Sequence, residues 1–143
     1  MAGISVGRWV AGGIAAGLIV WLLEGAAGLL YLDDMEAALL RLGLVTDSNT
    51  TMRALTVATS LIVGFALVFF YAAARPRFGP GPGTAVIVAV CLWVSGYLLS
   101  LIGYYIIGIY PTSLLVTWGI ARLLEMIMAS LVGGWVYREA AAA

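Results

Sequence analysis

The chain has 143 residues, 64% of them hydrophobic and 10% charged, with a mean hydropathy of +1.10; a soluble domain carries about a quarter charged residues, so too little polar surface exists to cover a water-facing globule. Seven arginines, no lysine and seven acids give zero net charge and leave no field for a nucleic-acid partner. Histidine is absent and Cys91 is the only cysteine, which removes the commonest metal and haem ligand and any intrachain disulfide or thiol pair.

Four apolar segments each approach or exceed the roughly 20 residues that span a hydrocarbon core. The first covers about 9–32. Arg8 before it superficially suits a secretory signal, but the apolar run is too long for one and is read as a retained first helix. A polar stretch follows, and its first part, 33–43, has helical periodicity, with Met35, Leu39 and Leu42 on one face. Asp33 or Asp34 can cap that helix and Gly43 can end it. A short amphipathic helix is expected there, lying in the interface or folded over the bundle mouth. Residues 46–51 then read as a turn into the second span, about 54–74, with Asn49 to Thr51 as N-cap candidates.

Residues 75–83, rich in proline and glycine, predict a sharply bent link, since proline does not continue a helix and glycine permits positive φ. The third span covers about 84–110 and the fourth about 112–137, joined by the short hairpin Tyr110-Pro111-Thr112-Ser113. The last two helices must therefore be antiparallel neighbours. A transmembrane barrel would need short alternating segments in larger number, whereas helices satisfy their backbone groups locally, as lipid demands. The expectation is all-α: one transmembrane domain over 1–143, a four-helix bundle with the short helix in its first extracytoplasmic loop.

Arg8, Arg75, Arg77 and Arg138 fall on one side of the spans, while Arg41 and Arg53 fall on the other among Asp33, Asp34, Glu36 and Asp47. The positive-inside rule then puts both termini in the cytoplasm. Trp9, Tyr31, Tyr71, Tyr110, Trp135 and Tyr137 stand near span ends and read as interfacial anchors.

Three ionisable residues lie well inside spans: Glu24 in the first, Arg122 and Glu125 in the fourth. Each costs about 2.5–3.5 kcal/mol at mid-membrane, so they should meet one another rather than face lipid. Counting about 1.5 Å per residue puts Glu24 and Arg122 at nearly the same depth. Glu125 follows Arg122 by three residues and shares its face. Small residues flank them in stripes, Gly12, Ala16 and Gly28 on the first helix and Ala129 and Gly133 on the fourth. Such faces let helices approach closely in lipid. The expected packing puts the first helix against the fourth with Arg122 between two glutamates. Two acids and one base leave an excess negative charge, so one acid should hold a proton or attract a cation.

Weaker features accompany this cluster. Thr56, Ser60 and Gly64 align on the second helix, and Gly96, Ser100 and Gly103 on the third, as packing faces or a polar path. Gly13 and Gly17 form a GxxxG that can pack within the bundle or pair two copies. Tyr97, Tyr104 and Tyr105 can line a cavity or bond a neighbouring helix. No nucleophile–base pair, phosphate-binding glycine loop or metal-ligand set is present, so neither cofactor nor metal is expected.

The segment 71–85, with its Arg-Pro-Arg-Phe-Gly-Pro-Gly-Pro-Gly core, resembles one found in small, uncharacterised bacterial membrane proteins with four spans. The acidic stretch after the first helix and the Trp-Val-Tyr-Arg-Glu ending at 135–139 are similar as well. That resemblance implies a bacterial inner membrane and brings no activity. The chain also resembles small multidrug-resistance transporters in having four spans and a glutamate, Glu24, in the first. It departs from them in Arg122, in the long first loop and in its arginine asymmetry. The reading that follows is a non-enzymatic inner-membrane protein with the bilayer as its partner. Two alternatives stay open, a proton- or cation-coupled transporter and an accessory subunit, as does self-association.

Overall fold

The computed structural model describes residues 4–44 and 49–138. Residues 46–48 of the expected 46–51 turn, Asp47 among them, Glu139 and the alanine tail lie outside the described residues. Among those described the regular structure is helical, in five helices, four of them long and apolar enough to cross a membrane. They are α1 (Val6–Gly28), α2 (Leu32–Arg41), α3 (Thr50–Phe78), α4 (Pro82–Ile107) and α5 (Thr112–Val136). The chain is a multi-pass membrane protein. Its large outward-facing side chains, such as Leu22, Ile62, Ile106 and Leu124, suit lipid tails rather than water.

Local chemistry explains the boundaries. Asn49 caps α3, its Oδ1 accepting the Met52 amide at 3.0 Å. The helix therefore starts four residues before the expected 54. It also runs past its expected end, because Pro76 sits inside its last turn. Proline forfeits one backbone donor there, but its fixed φ is helical. The Gly79 amide then closes the helix on the Arg75 carbonyl at 2.9 Å. The bend is thus confined to Gly79–Gly81, where Gly79 and Gly81 take φ of 81° and 135°, and Pro82 opens α4. The expectation that 75–83 is all turn was wrong for this reason.

Two further corrections concern α2 and the aromatic residues. Asp33 and Asp34 lie in the first turn of α2, and Tyr31 occupies the cap position without a side-chain cap. The acids oppose the positive end of the helix dipole rather than bonding its amides. Tyr31, Tyr71 and Tyr137 are buried, at 4%, 5% and 1% exposure, so they are not lipid-facing anchors. Tyr71 and Tyr137 meet edge-to-face at 6.3 Å, and the Ser5 amide donates to the Tyr137 hydroxyl, tying the start of α1 to the end of α5.

α1 packs chiefly against α3 and α5, and α4 lies against α5 and α3. The core gathers Ala16, Val20, Leu67, Val68, Ala85, Ala89, Met126 and Ala129. Most of it belongs to the half of the bundle nearer the Pro–Gly turn. In the other half, Thr50 to Thr59 of α3 is exposed at every position. Near its middle, α4 carries a π-helical stretch, Trp93–Leu98, whose extra residue per turn resets the face that follows.

Candidate functional site

Two helices, α1 and α5, bring the intramembrane charges together. Nη1 of Arg122 lies 2.5 Å from Oε2 of Glu24 and 2.7 Å from Oε2 of Glu125, so one guanidinium nitrogen serves an acid from α1 and an acid one turn along α5. The π-helical stretch contributes Tyr97, whose ring lies under the Arg122 guanidinium at 5.0 Å. That is cation–π range, and desolvation strengthens it. From the turn after α1, Tyr31 donates its hydroxyl to Oε1 of Glu24 at 2.6 Å. Burial, then the Glu24 carboxylate, push the Tyr31 phenol well above its ordinary range, which keeps it a donor. Tyr31 and Tyr97 were not singled out with the charges, and both complete the cluster.

The two acids are not equivalent. The Glu24 side chain is 21% exposed and that of Glu125 is 4% exposed. Each acid nevertheless has one buried oxygen without a hydrogen bond, Oε2 of Glu24 and Oε1 of Glu125, as has Nε of Arg122. Glu24 and Arg122, with Tyr97, line a cleft of about 340 Å³, and Glu125 does not. The α3 wall of that cleft carries Thr56, Thr59 and Ser60. Each hydroxyl donates to the carbonyl one turn back, at 3.0, 2.8 and 3.0 Å. Their protons are therefore committed, and they turn only lone pairs to the cleft. Glu24 adds further acceptor oxygens. The site thus offers a hydrogen-bond donor or a cation several acceptor oxygens beside a cluster of two acids and one arginine.

The expected packing residues divide between two partners. Gly12, Ala16 and Gly133 form the close α1–α5 approach, with Val68 of α3 wedged beside them. Ala129 is fully buried in the core. Gly13 and Gly17 instead face α3: Gly13 meets Phe65, and Gly17 meets Ser60, Leu61 and Gly64. The GxxxG is thus consumed within the chain. Gly28 does not join the α1–α5 face, because its nearest neighbour is Leu32 at the start of α2. Tyr104 stacks on Trp118 at 6.1 Å, with Tyr110 and Tyr31 completing an aromatic group beyond the charges. Tyr105 is exposed and joins no cavity with Tyr97. Among the described residues no group of three His, Cys, Asp or Glu side chains gathers to hold a metal. No family model, curated protein or solved structure matches the chain.

Proposed function

We propose that the chain is a small, non-enzymatic proton- or cation-coupled transporter of a bacterial inner membrane, working through the cleft at Glu24. The observation that carries this reading is the cleft itself, about 340 Å³ in volume and reaching Glu24 and Arg122. A charge cluster used only for packing has no need of such access. Two acids and one arginine leave a negative charge that a proton or a small cation neutralises in turn. Glu24, the more exposed acid, is the group that exchanges its partner with the cleft, while Glu125 stays with Arg122.

The test is flux in proteoliposomes. Wild-type protein should dissipate an imposed pH gradient or take up a monovalent cation faster than empty vesicles. Glu24→Gln should keep its helical circular dichroism and lose that flux. A wild-type protein that moves neither protons nor cations would overturn the reading. Arginine asymmetry supports cytoplasmic termini. In a Cys91→Ser background, Phe78→Cys should then react with an impermeant thiol reagent only from the cytoplasmic side, and Leu44→Cys only from the opposite one.

A second reading is favoured by a different observation, the convergence of both carboxylates on one nitrogen of Arg122. In that reading the cluster locks the register of α1 against α5 and conducts nothing. Glu24→Gln then lowers the melting temperature only mildly, since Glu125 still pairs with Arg122, and there is no flux to lose.

A further inference from the structure

Where α4 and α5 approach their shared turn, a groove of about 320 Å³ runs between them. Matching stripes line its two sides, Leu98, Leu101 and Tyr105 on α4 and Thr112, Leu115 and Gly119 on α5. Residues three and four apart share one face of a helix, and facing stripes of this kind ordinarily interdigitate. At the level of Gly119 the two sides do meet. A Cβ added there would lie 2.9 Å from Cδ1 of Leu101, and the Trp93 indole donates to the Gly119 carbonyl at 3.0 Å. Between that level and the turn, the stripes leave the groove open.

Unfilled space forfeits the dispersion contacts of its walls, so in a bilayer such a groove takes up hydrocarbon. The source is either a lipid chain or a helix of a second copy. Helices meet in lipid on small residues that let backbones approach. The rim here is exposed and β-branched, formed by Ile102, Val116 and Ile120, and the one glycine of the lining already lies under Leu101. A third helix, about 10 Å across, would stand on this rim rather than enter. A lipid chain needs neither backbone approach nor hydrogen bonds. The lining residues that carry hydroxyls, Tyr105 and Thr112, stand at the helix ends beside the turn. From Thr112 to Ile120 the helix rises about 12 Å. That is most of the roughly 15 Å that one leaflet contributes to the hydrocarbon core.

We propose that this groove seats one acyl chain of a membrane lipid, in the leaflet nearer the α4–α5 turn and with its tail toward Trp93. Trp93 also opens the π-helical stretch that brings Tyr97 to Arg122, so the chain packs against the segment that completes the charge cluster. The seat does not depend on the transport reading, since a protein without flux would hold the same chain.

The test places the full-length protein in phosphatidylcholine vesicles that contain a lipid with a photoactivatable diazirine midway along one acyl chain. Labelled residues are then located by peptide mass spectrometry. Leu99, exposed and outside the groove, reports the bulk lipid that touches any span. Trp93 and Leu98 are only half-buried, and they should carry at least as much label as Leu99 although they present less surface. Val116→Phe fills the groove from its exposed rim and should abolish labelling of Trp93 and Leu98 while sparing Leu99. Ile102→Phe fills it from α4 and takes its place if Val116→Phe loses its helical circular dichroism. Less label at Trp93 and Leu98 than at Leu99, or no change in either variant, would overturn the proposal. So would an oxidative cross-link between two copies of Val116→Cys in a Cys91→Ser background, because a second copy would then cover the groove.

Discussion

The two halves of the bundle solve opposite packing problems. Toward the Pro–Gly turn, α1, α3 and α5 meet on bare backbone: a Cβ on Gly64 would collide with Gly13 and Gly17, and one on Gly12 would strike the Gly133 carbonyl. In lipid, where helices gain nothing from hiding apolar surface from each other, such close contact is what holds them. Past Ser60 toward the start of α3 the helices part, and every residue from Thr50 to Thr59 is exposed. Gly96 and Gly103 of α4 have nothing within reach of an added Cβ. The closed half supplies rigidity, and the open half supplies a polar cleft that a fully close-packed bundle could not contain. Glycines therefore do unequal work in the two halves.

The largest expected effect breaks the closed half. Gly64→Leu forces backbone apart at Gly13 and Gly17 and should cost upward of about 3 kcal/mol, the high end for overpacking. Gly96→Leu, in open space, should leave the melting temperature in detergent nearly unchanged. Equal shifts for the two variants would mean that the halves do not differ as described. Self-association gives a related check. Since Gly13 and Gly17 are spent on α3, Gly17→Leu should unfold the chain rather than separate a dimer. Mass measurement and circular dichroism together distinguish those outcomes.

The next effect concerns the charges at the floor of the open half. Arg122→Leu leaves two acids that can escape their repulsion by protonating. Glu24→Gln with Glu125→Gln strands an arginine that has no such escape, and should cost about 3–5 kcal/mol. Glu24→Gln alone should be mild, because Glu125 still pairs with Arg122 at 2.7 Å and the amide can still accept from Tyr31. Melts of the purified variants rank the three. A double glutamine variant no less stable than Arg122→Leu would mean that the arginine does not depend on these acids.

How much of this was legible in the sequence follows from which signals are local. Hydropathy located the four spans, and a count of rise per residue put Glu24 and Arg122 at one depth, because both rest on regular helix geometry. Tyr97 was not paired with Arg122 because the π-helical stretch at Trp93–Leu98 breaks the 3.6-residue phase on which face counting depends. Tyr31 was taken as an anchor because it stands at a span end. The i to i+3 bonds at Leu29, Leu30 and Tyr31 carry the coil on for another turn, so its seven-residue spacing from Glu24 keeps both side chains on one face. Pro76 was overweighted, since its cost falls where the helix is about to end anyway. The GxxxG of α1 reads the same whether its partner is another chain or Gly64 of this one. Charge and periodicity are written along the chain, whereas the choice of partner is made in three dimensions.

The smallest expected effect compares two hydroxyls, one from each half. Ser130 is 1% exposed and donates across the α5–α4 interface to the Ala85 carbonyl at 2.8 Å. Thr59 lines the cleft and donates only to Leu55 of its own helix, at 2.8 Å. The two bonds have the same length and opposite structural meaning. Removing the first unties two helices, and interhelical hydrogen bonds in membranes are worth about 0.6 kcal/mol on average. Ser130→Ala should therefore lower stability by roughly that amount, with a small added loss of packing in the core. Removing the second unties nothing. Thr59→Val keeps the side-chain shape and should leave stability within about 0.5 kcal/mol of wild type, as for other surface changes. It does replace an acceptor with a methyl group on the cleft wall, so any flux that depends on that wall should fall. Chemical unfolding in mixed micelles measures the first quantity and proteoliposome flux the second. Loss of stability without loss of flux in Thr59→Val would give that hydroxyl the structural role assigned to Ser130, and the open half would then be held together by its polar side chains after all.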